Sequence, residues 1–274
     1  MPRRAIFALA CASLITLSCC GGGQDGLRDL AQVPANSLCY MRVSSAAAPL
    51  ITILLPEEES GLPAGLLEDL LAPGAVGVAV ISLDFTSLKP QLLFLSRELS
   101  SQDVTEIAVN RLECRAERRE SRTDLLTERG SVLGAVAQRQ GWTSLYLGKA
   151  PTAVIGPWLE MDREGSLAAD SGLLRLSGGT ADISVFLPGN MIDFMGLLPL
   201  QRWYPKLANL RTHFMTLRPR ALRLDLTLAP MLVVEARLLR EGNSVTRLRV
   251  ELEDASLSGD SLYAGVAALM QRLP

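Results

Sequence analysis

The chain has 274 residues, of which 48% are hydrophobic, 20% charged and 5% aromatic. That balance excludes a disordered chain and is enough for one large core or two small ones. With 27 basic against 29 acidic side chains, the sequence also lacks the basic footprint of a nucleic-acid binder, so no nucleic-acid partner is expected.

The first segment opens with Arg3 and Arg4 and then runs without charge from Ala5 to Leu17, followed by Ser18, Cys19, Cys20 and the glycine-rich "GGGQDG". The uncharged run has the length of a signal-peptide core and falls short of the roughly 20 residues that cross a bilayer as a helix. Its end resembles the lipobox of bacterial lipoproteins, which reads Leu, Ala or Ser, Gly or Ala, and then the Cys that takes the lipid. Against Cys20, Leu17 and Ser18 fit and Cys19 stands in the small-residue place; against the alternative Cys19, only Ser18 fits well.

The resemblance implies removal of residues 1–19 and attachment of acyl chains, palmitate among them, to Cys20. It also implies a place in the cell envelope, facing the periplasm or the exterior, with the membrane as a partner through the N-terminal lipid. Several chains on one cysteine anchor a protein stably where a single chain does not. Residues 20–33 are then a lipidated flexible tether, since glycine frees the backbone, and residues 34–274 the globular domain. The rival reading of the same pattern is an ordinary secretory signal with soluble release. Export leaves Cys39 and Cys114, which either form a disulfide or remain two separate buried thiols.

Along the globular part, a short polar helix passes through Pro34 into a strand over 38–44 with Tyr40 at its centre. Residues 46–72 read as helical on both sides of "PEEESGLPAG", with Leu66, Leu67, Leu70 and Leu71 at helical spacing. "AVGVAVISLDF" and "PQLLFLSREL" predict a hairpin joined by "TSLK". Asp103 and Glu106 form a capping-box-like start for a helix through Leu112. The charge run "RLECRAERRESR" reads as a solvated helix end or an edge strand. "SVLGAVAQ", "RQG" and "WTSLYLGK" form the clearest hairpin of the middle region.

In "ALRLDLTL" the leucines alternate with Arg223, Asp225 and Thr227, predicting one apolar and one wet face. "LVVEARLL" and "TRLRVELE" extend this into an antiparallel meander covered on one face. A final helix over 261–272, capped by Asp260, puts Leu262, Val266, Leu269 and Leu273 on one stripe. The order β-α-β-β-α recurs in two candidate halves, 34–165 and 166–274, and gives an α+β fold of antiparallel sheets backed by helices.

"VPANSLCYMRV", "TSLYLGKAPTAVIGPWLEM", "SLAADSGLLRL" and "ADISVFLPGNMI", in that order, resemble a group of uncharacterised bacterial exported proteins. The resemblance covers most of Val33 to Ile192 and supports the architecture. It brings no activity with it.

Residues that could carry chemistry are scarce. With His213 as the one histidine, a His-pair metal site is impossible, and neither "GxSxG" nor "SxxK" occurs. Lys149 follows Gly148 without the glycine spacing of a phosphate loop, and the carboxylates Glu57 to Glu59, Asp162 and Glu164 sit in turn-like segments. No catalytic residue, cofactor or metal is expected. One segment stands out: Met191, Phe194, Met195, Trp203, Tyr204, Phe214 and Met215 gather between Pro-broken helical pieces. They are either an adaptable apolar contact surface or a broken helix packed on a sheet. Two functions follow: a noncatalytic envelope lipoprotein acting by protein contacts as scaffold, assembly or adaptor factor, or a carrier of lipid or another apolar ligand.

Overall fold

The computed structural model describes residues 29–48, 62–63, 65–84, 89–177, 181–189, 219–228, 232–240, 242 and 244–252. Eleven strands form one antiparallel sheet: β1 (Cys39–Val43), β2 (Val76–Asp84), β3 (Lys89–Ser96), β4 (Arg115–Arg118), β5 (Arg122–Leu126), β6 (Val132–Arg139), β7 (Trp142–Leu147), β8 (Ile183–Pro188), β9 (Ala221–Thr227), β10 (Leu232–Leu239) and β11 (Val245–Leu252). Their order across the sheet is β11-β10-β9-β8-β1-β2-β3-β7-β6-β5-β4. The α-helices among the described residues are α1 (Leu66–Leu71), α2 (Ser101–Leu112), α3 (Pro151–Glu160) and α4 (Ser171–Leu176). The fold is therefore α+β, with one sheet dominating.

Most pairings join strands adjacent in sequence, and the short connections β4–β5, β5–β6 and β6–β7 return the chain directly beside itself. In the β6–β7 hairpin, Gln140 and Gly141 both take positive φ, 48° and 76°, as a two-residue turn of inverted hand requires. Two pairings join strands that are not consecutive in the chain. β3 pairs with β7, and β1 pairs with β8 through Tyr40–Phe186 and Met41–Val185, which makes the two halves a single sheet.

Each face of the sheet has its own core. Val78, Phe94, Val136, Leu145, Val185, Leu224 and Val234 lie on the first face with α1 and α2. Tyr40, Ala79, Leu93, Tyr146 and Phe186 lie on the second with α3 and α4. Period-two alternation puts successive side chains of one strand into opposite cores, so Leu92 and Leu93 are both buried, at 8% and 0% exposure.

The strands expected from the sequence over 38–44, 75–83, 90–97, 181–187, 221–229, 231–239 and 245–253 all occur, with ends displaced by at most two residues. Several expectations need correction. The α2 helix begins earlier than Asp103: Ser100 is its cap, its side chain accepting from the Asp103 amide at 3.2 Å while Asp103 accepts from the Ser100 amide at 3.0 Å. Asp103 is thus the third helical residue of a complete capping box.

The wet face expected for β9 is absent, since Arg223 is 1% and Asp225 5% exposed. The meander is covered on both faces there because α4 lies over β9 and β10. In β11 the expected division does occur, with Val250 buried and Arg247, Arg249 and Glu251 exposed. Residues 29–33, expected in the flexible tether, are packed: Leu30 and Val33 are fully buried. The charge run becomes the end of α2 and β4, an edge strand whose Arg115 and Arg118 are exposed. The final helix, and the helical pieces expected over 190–210, lie outside the described residues.

Candidate functional site

The second face carries the densest polar chemistry of the described residues, and it begins at the N-terminal end. The Asp29 carboxylate, on a residue 4% exposed, receives Arg42 Nε at 2.8 Å and the Tyr40 hydroxyl at 3.3 Å. Burial, and then the neighbouring Asp29 charge, push the Tyr40 phenol well above its ordinary range, so it stays a neutral donor. The close fit depends on Gly77, where a Cβ would stand 2.7 Å from the Tyr40 oxygen.

Beyond Asp29, the Trp158 indole of α3 donates to the Gln32 carbonyl at 2.9 Å. Arg139 binds Gln32 Oε1 at 3.1 Å and the Trp158 carbonyl at 2.6 Å, also donates to the Met161 carbonyl, and lies 5.4 Å over the Trp158 ring. The Leu167 amide donates to Val33 at 2.8 Å and the Ala35 amide to Gly165 at 2.8 Å. Residues 29–35 are consequently pinned between the sheet and the α3 layer.

The same layer continues into a buried ion network. Arg223 Nε meets Asp225 Oδ1 at 2.6 Å, and Nη1 donates to the Leu176 carbonyl at 2.7 Å, the negative end of α4. Its guanidinium lies 5.1 Å over Phe186, whose ring stacks on Tyr40 at 6.0 Å. Arg237 Nε meets Glu235 at 2.5 Å, and its Nη2 lies 3.3 Å from Asp225 Oδ2, an ion contact without hydrogen-bond geometry. Burial outweighs both arginines at Asp225 and raises its carboxyl above the ordinary value. These groups engage one another and the backbone, an arrangement that seats α4 on the sheet.

A third feature is open to solvent. A cleft of about 750 Å³ lies beside the first turns of α2 and the β4–β5 turn, lined among others by Thr105, Glu106, Arg118, Arg119, Glu120 and Arg122. Beside it Asp124, 5% exposed, receives Arg122 Nε at 2.6 Å and Arg119 Nε at 3.3 Å. Burial pushes the Asp124 carboxyl up, but the two arginines outweigh it and hold it below the ordinary value. The lining mixes both signs of charge and suits a polar surface contact better than an acyl chain.

Of the residues singled out from the sequence, Cys19, Cys20, His213, Glu57 to Glu59 and the apolar group Met191, Phe194, Met195, Trp203, Tyr204, Phe214 and Met215 lie outside the described residues. No disulfide joins Cys39 and Cys114. Cys39 is 7% exposed on β1. Cys114 follows α2, with its sulfur 3.8 Å from the Ala108 carbonyl and its thiol pushed up by burial. Lys149 lies two residues past β7, where its carbonyl accepts from the Tyr146 hydroxyl at 2.9 Å, and Asp162 accepts from the Gly165 amide at 2.9 Å within a turn. Among the described residues no group of three or more His, Cys, Asp or Glu side chains could hold a metal, and no helix is long and apolar enough to cross a membrane.

Sequence reasoning missed Asp29, Arg139, Arg223 and Asp225. Charges at regular intervals in an apolar strand were the available signal, but alternation alone cannot tell a wet face from one buried under a helix. In comparison with known proteins, no family model matches the chain, and no curated protein or solved structure matches it.

Proposed function

We propose that this chain is a noncatalytic, lipid-anchored protein of the bacterial cell envelope that acts through protein contacts, as a scaffold, assembly or adaptor factor. The anchor rests on the signal-like run that ends at Cys20. The observation that carries the contact role is the filling of both faces of the central sheet: Leu93, Leu95, Val185 and Leu226 are each at most 1% exposed. Outward these elements offer mainly the arginine-rich cleft and the charged strands β4 and β11 at the sheet edges, with Val132 and Val245 the exposed large apolar side chains among the described residues. Charged edges resist indiscriminate strand pairing and leave recognition to specific side chains.

A carrier of lipid or another apolar ligand is the second reading, favoured by the methionine- and aromatic-rich residues 191–215. Mass spectrometry of protein extracted natively from membranes separates the two. Consistent absence of bound lipid is expected for the adaptor; lipid at near-equal stoichiometry would contradict it.

The sheet also supports a proposal of two related halves. Cys39, Met41 and Val43 pair with Val80, Val78 and Val76, while Ile183, Val185 and Leu187 pair with Leu226, Leu224 and Leu222. The next strands follow suit, Val78 with Phe94 and Leu224 with Ala236. A two-fold axis through the Met41–Val185 pair would relate β1–β3 to β8–β10. Superposition of these strands in an experimental structure tests it, and a mismatch of core-facing positions would contradict it.

A further inference from the structure

We propose that the α3–α4 layer, and not the α1–α2 layer, is the side of the anchored protein turned toward the membrane, because the pinning of residues 29–35 puts the other side out of reach; this rests on the lipid-anchor reading. Asp29 lies in the middle of that layer. On one side Gln32 is held by Trp158 and Arg139 of the α3 region; on the other, Tyr40 leads through the Phe186 ring to Arg223, which holds the end of α4. Asp29, the first described residue, therefore lies at the centre of one face.

Between Cys20 and Asp29 there are nine peptide steps, which span at most about 30 Å when fully extended. Strands of the length of β6 and β10, eight residues each, run about 26 Å, so the rim lies about 13 Å from the centre. A helix layer stands about 10 Å from the sheet on each side. To turn the α2 side toward the bilayer, the tether would have to reach the rim and then cross the sheet and the far layer, a path of roughly 35 Å. That is longer than the extended tether. With the α3–α4 layer toward the bilayer, the path is shorter than nine peptide steps can span.

The exposed surface of this layer mixes Glu160, Asp162, Glu164 and Asp170 with Arg163 and Arg175, so it has no excess of basic charge to draw it to anionic lipid. The occupant of this face is a bilayer surface brought near by the anchor alone. The opposite side, with α1 and α2, is left free for protein partners.

The test uses the full-length acylated protein in vesicles of phosphatidylethanolamine and phosphatidylglycerol carrying a headgroup acceptor dye. Donor labels are placed at Ala153→Cys on α3 or Asn110→Cys on α2, both exposed positions, with the half-buried Cys114 replaced by serine. Energy transfer several-fold stronger from position 153 than from 110 is expected. A twenty-residue Gly/Ser insertion after Gly23 should erase most of that difference. Equal transfer from both sites, or stronger transfer from 110, in protein whose intact mass shows acyl chains would overturn the orientation alone. A mass without acyl chains would overturn the anchor and the orientation together.

Discussion

Arg223 holds a full charge where 1% of its surface reaches solvent, and everything around it answers that charge. Asp225 supplies the counter-ion, the Leu176 carbonyl a helix C-terminus, and Phe186 a π face. Removing one partner of such a buried pair strands the other, so Arg223→Ala should lower unfolding stability by about 3–5 kcal/mol. The double replacement Arg223→Leu with Asp225→Leu removes both charges and should cost much less. Urea unfolding of the three proteins checks this, and equal losses for the single and double variants would contradict it.

At Asp124 the sign of the pH dependence follows from its partners. Arg122 and Arg119 lower its folded pKa, so the stability it contributes is complete above the ordinary carboxylate value and is lost as pH falls through the folded value. Asp124→Asn should flatten the acid limb of stability below the ordinary carboxylate range, measured as the urea midpoint. An unchanged limb would remove Asp124 from the acid response. Asp225 runs the opposite way: its folded pKa is raised by burial, so its ionisation weakens the fold as pH rises from the ordinary value through the raised one. At this scale the sequence concealed most of the polar layer. Arg223, Asp225 and Arg237 occupy the alternate positions of apolar strands, where solvent and a covering helix give the same pattern.

The elements themselves were more legible, to the degree that their apolar period was long. β2, β3, β9 and β10 have seven to nine residues each and stand out by alternation or by unbroken apolar runs. β5 has five residues; its first, Arg122, closes the charge run, and the next two, Thr123 and Asp124, are polar, so no apolar period marks it. In α3, Gly156 and Pro157 sit inside the helix, where proline removes a backbone donor and reads as a break. α4 has six residues, too few to show a helical period.

The sheet's closest internal fit lies at β6 and β7. A Cβ at Gly134 would stand 2.1 Å from the Tyr146 carbonyl oxygen, a backbone atom held in the ladder. Gly134→Ala should therefore destabilise by about 1–3 kcal/mol, as overpacking does. A thermal midpoint equal to wild type would contradict the closeness of this approach.

At the scale of the whole molecule, the pairing of β1 with β8 decides the architecture, because it turns two sets of hairpins into one sheet of eleven strands. Periodicity identifies a strand and its faces but not a partner 140 residues away, so the sequence left the number of sheets open. It left the surface contacts open for a related reason: the cleft arises from α2, the β4–β5 turn and β6, which converge only after folding. The proposed anchor, by contrast, rests on a linear run of residues that needs no fold to be read, and under that proposal it decides which side of the folded body faces partners. Intact-mass spectrometry of the protein purified from membranes of its native host tests that claim directly. The expected species begins at Cys20 and carries the added mass of its acyl chains. A chain that keeps its first nineteen residues, or one that begins at residue 20 with no acyl mass, would contradict the account.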